Sequence, residues 1–196
     1  MARSVTIDVP GSALKLEGRL TGEGALAIVA PPHPAYGGTI GNPVVKAAEY
    51  ALRNANLATL AFNFRGTGDS DGTQTGDLEE ARVDYRAVLD VYPATLLSGY
   101  SFGSVTALAV AVERSVPRVL MIAPPFGLLD RMLLEKYAGE LLVVIGDRDE
   151  YTPVTAIEDF FVARPNTRVE LLPGIDHWFL GSSLQMLSDG LHRLLA

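Results

Sequence analysis

Short aliphatic runs alternate along the chain with amphipathic stretches of helical period. Val5–Val9 and Leu14–Leu20 alternate apolar and polar positions with period two, which predicts antiparallel strands at one edge of a sheet. Four later runs are nearly all apolar: Leu26–Ala30, Ala58–Phe62, Val119–Ile122 and Leu141–Ile145. Strands covered on both faces have this composition, as in a parallel sheet. Thr95–Tyr100 is a fifth such run and Arg168–Leu172 a sixth.

Helical signals fall between these runs. Pro43 opens one helix reaching about Asn54, since proline at the first helical position loses no hydrogen bond. Asp77 caps the next, with Glu80 three positions on as the partner of a capping box, and Pro93 stops it after Val91. Phe102–Arg114 is rich in small apolar residues and suits a helix packed closely on a sheet. A helix is expected over Leu128–Tyr137, another from Pro153, and a last one from Ser182 or Ser183. Strand–helix alternation of this kind predicts an α/β fold with right-handed parallel crossovers. No repeat, linker or low-complexity tract divides the chain, so residues 1–196 read as one domain.

Composition narrows the function. The chain has 196 residues, a net charge of −7 and no cysteine, which excludes disulfides, thiolate metal sites and a cysteine nucleophile. No basic stripe suits nucleic acid or an anionic membrane, and no run approaches the roughly 18 apolar residues of a membrane helix. Residues 1–20 lack the apolar core of a signal peptide, so a cytoplasmic location is expected. No metal site is expected: Asp69 and Asp71 in the glycine-rich loop 65–72 suit a turn rather than a calcium loop, and no phosphate-loop lysine follows Gly66 and Gly68. Arg65 suits a structural ion pair.

Gly99-Tyr100-Ser101-Phe102-Gly103 carries the chemistry. It follows a strand and opens a helix. A reactive serine needs a sharp strand-to-helix turn, and glycines two residues to either side let that turn close. The Phe102 N–H then faces the substrate oxygen at a helix N-terminus, where negative charge is favoured. The chain has three histidines. His192 lies in the terminal helix and His33 in an early loop. His177 follows the last strand, at the carboxyl edge where ligands gather in such sheets. It is the candidate base. Asp147 and Asp149, after the run Leu141–Ile145, both suit the acid that orients it. Asp147 lies close enough to the strand end to bond nearby backbone, whereas Asp149 reaches further. The order Ser, Asp, His is that of one of three unrelated serine hydrolase designs.

Together these segments resemble the α/β-hydrolase superfamily, and within it a small lidless bacterial branch related to dienelactone hydrolases. Residues 31–38, Pro-Pro-His-Pro-Ala-Tyr-Gly-Gly, resemble the branch's H-P-x-x-G-G oxyanion loop. Residues 63–70, Asn-Phe-Arg-Gly-Thr-Gly-Asp-Ser, resemble the superfamily's F-R-G-x-G-x-S loop, and Gly146-x-x-Asp149 and His177-x-Phe179 its acid and histidine segments. The resemblance implies an α/β-hydrolase fold with helices on both faces and no cap domain, and favours Asp149 as the acid. It also implies that Ala35 or Tyr36 supplies the second oxyanion N–H; Pro34 has none. A dienelactone hydrolase proper uses a cysteine where Ser101 stands.

The expected activity is a cofactor-free carboxylesterase acting on small or medium acyl esters through an acyl-serine. Tyr36, Phe102, Phe126, Tyr151 and Trp178 flank the catalytic loops as candidate pocket residues. The alternatives are thioesterase, peptidase or acyltransferase chemistry with the same triad, or a non-catalytic binding module on this fold.

Overall fold

The structure is a computed structural model and describes residues 1–162 and 164–196. Eight strands form one sheet in the order β1-β2-β4-β3-β5-β6-β7-β8. β1 (Ala2–Asp8) and β2 (Lys15–Thr21) form an antiparallel hairpin, and β2 runs antiparallel to β4 (Ala58–Phe62). The rest of the sheet is parallel: β4, β3 (Leu26–Ala30), β5 (Leu96–Tyr100), β6 (Arg118–Ile122), β7 (Glu140–Gly146) and β8 (Thr167–Leu172). The fully apolar runs are the central strands, buried on both faces. β8, at the edge, exposes Arg168 and Leu171.

Strand side chains alternate between two cores. Leu97, Val143 and Ile145 face one helical layer with α2 (Leu78–Val91), α3 (Phe102–Arg114) and α4 (Arg131–Lys136). Val29, Tyr100 and Val144 face the other, built from α1 (Pro43–Asn54) and α6 (Ser183–Leu195). Asn42 caps α1 by accepting from the Val44 N–H at 2.8 Å, with Pro43 at the first helical position. Asp77 caps α2 by accepting from the Glu80 N–H at 2.9 Å. The reciprocal half of the expected capping box is not made. The Glu80 carboxylate instead takes Arg65 and the Thr75 hydroxyl.

The helix expected over Leu128–Tyr137 is shorter. A 3₁₀ turn at Phe126–Leu128 is followed by extended backbone at Leu129 and Asp130, and α4 begins at Arg131. Asp130 is the reason: its carboxylate accepts from the Met132 N–H and starts a fresh helix. This short connection, without a cap domain, leaves the carboxyl edge of the sheet open. After Pro153 a single turn, α5 (Val154–Ile157), widens into a π-helical stretch over Glu158–Val162. Among the described residues no helix is long and apolar enough to cross a membrane.

Candidate active site

Ser101 sits between β5 and α3 with φ 53° and ψ −119°. A non-glycine residue there carries strain of about 1–3 kcal/mol. The surroundings enforce it. The Ser101 N–H donates to the Ile122 carbonyl at 2.8 Å, and the Ser104 hydroxyl donates to the Ser101 carbonyl at 2.6 Å. Glycine is required on both sides of the turn: a Cβ on Gly99 would lie 2.2 Å from the Gly103 carbonyl carbon, and one on Gly103 would lie 2.4 Å from the Pro31 oxygen.

His177 closes on this serine from the loop after β8. Its Nε2 lies 2.9 Å from Ser101 Oγ, and its Nδ1 lies 2.8 Å from Asp149 Oδ2. Asp149 is an acceptor only, so Nδ1 donates and Nε2 is left to receive the serine proton. The Asp149 carboxylate is fully buried and also accepts from the Tyr151 N–H at 2.8 Å. His177 is 4% exposed. Asp147 is turned elsewhere and accepts from the Gly174 N–H at 2.6 Å, the backbone role its position suggests.

Two contacts hold the His177 loop. The Tyr100 hydroxyl donates to the His177 carbonyl at 2.8 Å. Burial, with the Asp149 charge adding to it, pushes the Tyr100 phenol well above its ordinary range, so it stays a donor. Glu150 accepts from the Trp178 indole N–H at 2.7 Å and from the His177 N–H at 3.4 Å. Burial acts to raise the Glu150 carboxyl. Hydrogen bonds from its own N–H, the Trp178 indole and the His177 N–H outweigh it and hold the group below its ordinary value.

The loop after β3 departs from expectation. The Ala35 N–H donates to His33 Nδ1 at 3.1 Å and the Tyr36 N–H to the His33 carbonyl at 3.0 Å, so neither candidate donor is free. Pro31, Pro32 and Pro34 have no N–H. The His33 N–H is the one backbone donor of residues 31–36 without an acceptor among the described residues. Burial lowers the His33 imidazole's affinity for protons, and a neutral ring is what the bond from Ala35 requires.

These loops surround a cavity of about 740 Å³ that contains Ser101 and His177 in its wall. Tyr36, Phe102, Tyr151 and Trp178 line it, as do His33 of the loop after β3 and Asn42, Leu180 and Leu184, which sequence patterns did not single out. Phe126 does not line it. Its ring packs 5.3 Å from Phe160 with the Arg131 guanidinium 4.8 Å away, because the 3₁₀ turn directs it toward α4. Arg65 forms the expected ion pair, its guanidinium 2.7 Å from the fully buried Asp84. Asp71 accepts from the Lys15 N–H of β2 rather than from its own loop. Among the described residues no three metal-ligating side chains converge.

A lidless sheet of this order, with a strained serine at the end of β5, has the architecture of the α/β serine hydrolases. The chain belongs to the α/β-hydrolase family. It is 30% identical to an α/β serine hydrolase homologue from Coxiella burnetii, with 99% of this chain and 97% of that one covered and a TM-score of 0.77. A lidless α/β serine hydrolase from Xanthomonas campestris is 27% identical, with 98% and 94% covered and a TM-score of 0.73. An uncharacterised protein of Rickettsia prowazekii (strain Madrid E) is 28% identical over 188 residues, 83% of this chain and 79% of that protein. No protein-family model matches the chain.

Proposed function

We propose that the protein hydrolyses carboxylic esters of small or medium size through an acyl-serine intermediate. The observation that carries this reading is the continuous chain from Ser101 Oγ to His177 Nε2 and from His177 Nδ1 to Asp149. A binding module has no need of a strained serine in contact with a buried, carboxylate-oriented imidazole.

His177 takes the Ser101 proton as Oγ attacks the ester carbon. The imidazolium that forms is stabilised by Asp149. The carbonyl oxygen becomes an oxyanion, received by the Phe102 N–H at the start of α3 and by the His33 N–H. Each such donor supplies about 3 kcal/mol. The tetrahedral species collapses, the alcohol leaves with the proton from His177, and the acyl group remains on Ser101. Water then attacks the acyl-serine with His177 as base, releasing the acid and restoring the serine. A cavity of about 740 Å³ suits a small-molecule ester. Because no cap covers it, turnover needs no lipid surface.

The test is a panel of nitrophenyl esters and thioesters, with acid-quenched mass spectrometry to trap the intermediate. The native protein is expected to show the mass of one acyl group, lost in Ser101→Ala. Turnover retained in that variant refutes the assignment.

A further inference from the structure

Several polar groups in the cavity wall are already engaged, the Tyr100 hydroxyl with His177, the Trp178 indole with Glu150 and His33 Nδ1 with Ala35, while the Tyr36 and Tyr151 hydroxyls belong to exposed residues and have no fixing partner among the described residues. Asn42 differs. Its Oδ1 is consumed in capping α1, which fixes the orientation of the amide. Its Nδ2 finds no acceptor among the described residues, and the half-buried side chain lines the cavity. Pro43, Val44, Phe179, Leu180 and Leu184, all apolar, also line the cavity. No Lys, Arg, Asp or Glu is among the residues that line the cavity.

An amide donor held in place by its own oxygen at the wall of a cavity that carries no charged Lys, Arg, Asp or Glu is a recognition element. We propose that Asn42 is a specificity-determining residue whose Nδ2–H donates to an uncharged oxygen on the substrate, such as an ether, hydroxyl or ketone. The proposal rests on the serine hydrolase reading and names the substrate class of that site. The oxygen is uncharged because a carboxylate brought into this cavity would meet no Lys or Arg to offset its lost hydration. A substrate with the oxygen gains a hydrogen bond. One with a methylene there leaves the Nδ2–H without its partner.

Fluorophosphonates test this on the full chain, since their reaction with Ser101 needs no knowledge of the natural ester. Probes of equal length carry either a plain alkyl chain, one ether oxygen at successive positions, or a terminal carboxylate. In the native protein one ether position is expected to label about fivefold faster than the alkyl probe. That ratio is expected to fall to about one in both Asn42→Asp and Asn42→Ser. Asp and Ser cap a helix as Asn does, so α1 keeps its start. An ionised Asp cannot donate, and the Ser hydroxyl lies one atom short of the Nδ2 position. No preference for any ether probe, a preference that survives in either variant, or fastest labelling by the carboxylate probe overturns the proposal. Failure of every probe to label the native protein refutes the serine reading itself, a result distinct from the others.

Discussion

Tyr100→Phe removes one atom from the contact that ties the catalytic histidine loop to the nucleophile strand. Tyr100 is 4% exposed, and its ring lies 5.6 Å from the His177 imidazole and 6.0 Å from Phe179. Phenylalanine keeps that packing. What is lost is the 2.8 Å hydrogen bond to the His177 carbonyl. A net hydrogen bond with one buried partner left behind costs about 1.5 kcal/mol. For a chain of this size each kcal/mol lowers Tm by roughly 2–4 °C, so the expected drop is about 3–6 °C at neutral pH. The pH dependence follows from the raised Tyr100 pKa. A folded-state pKa above the unfolded value contributes stability below the ordinary tyrosine pKa of about 10, and that stability is lost as pH rises beyond it. The variant lacks this loss, so the gap between native and variant must narrow above about pH 10. Thermal unfolding at neutral and alkaline pH reads both effects, and kcat/KM for an ester is expected to fall with the loosened loop. An unchanged Tm, or a gap that widens at alkaline pH, refutes the reasoning.

The two carboxylates after β7 are expected to separate cleanly. Asp149→Asn lowers kcat by about 10³- to 10⁴-fold with the fold intact, because the imidazole loses its orienting acceptor. Asp147→Asn removes a bond to the Gly174 backbone and shifts stability by about 1 kcal/mol with little change in kcat; equal kinetic losses in the two variants contradict the geometry. Gly99→Ala forces a Cβ against the Gly103 backbone and costs at least about 3 kcal/mol, read by denaturant unfolding, whereas Gly127→Ala meets nothing within 4 Å and stays within about 0.5 kcal/mol. Arg65→Met strands the buried Asp84 carboxylate and lowers stability by about 3–5 kcal/mol, and Arg65→Met with Asp84→Leu recovers much of it.

The sheet was legible in the sequence because strands covered on both faces leave no choice but continuous apolar runs, and period-two alternation marks the solvated hairpin. The serine elbow was legible because its strain demands glycine at Gly99 and Gly103. What failed depended on side-chain competition that patterns do not record. Asp130 looked like the interior of a helix, yet its short carboxylate caps the next turn and cuts the helix in two. Phe126 was assigned to the pocket by proximity in sequence, but the partners that hold its ring, Phe160 and Arg131, were not deducible. The oxyanion loop turned on one rotamer: His33 folds its ring back to accept from Ala35, which takes one expected donor away. Asn42 carried no signal of its own beside Pro43, and only the structure shows it capping α1 with Oδ1 while it lines the cavity.

The most direct test of the central claim is fluorophosphonate labelling of the purified native chain followed by peptide mass mapping. The account predicts a single adduct on Ser101, absent from Ser101→Ala and strongly slowed in His177→Ala. A well-folded native chain that takes no label, or a label on another residue, contradicts it.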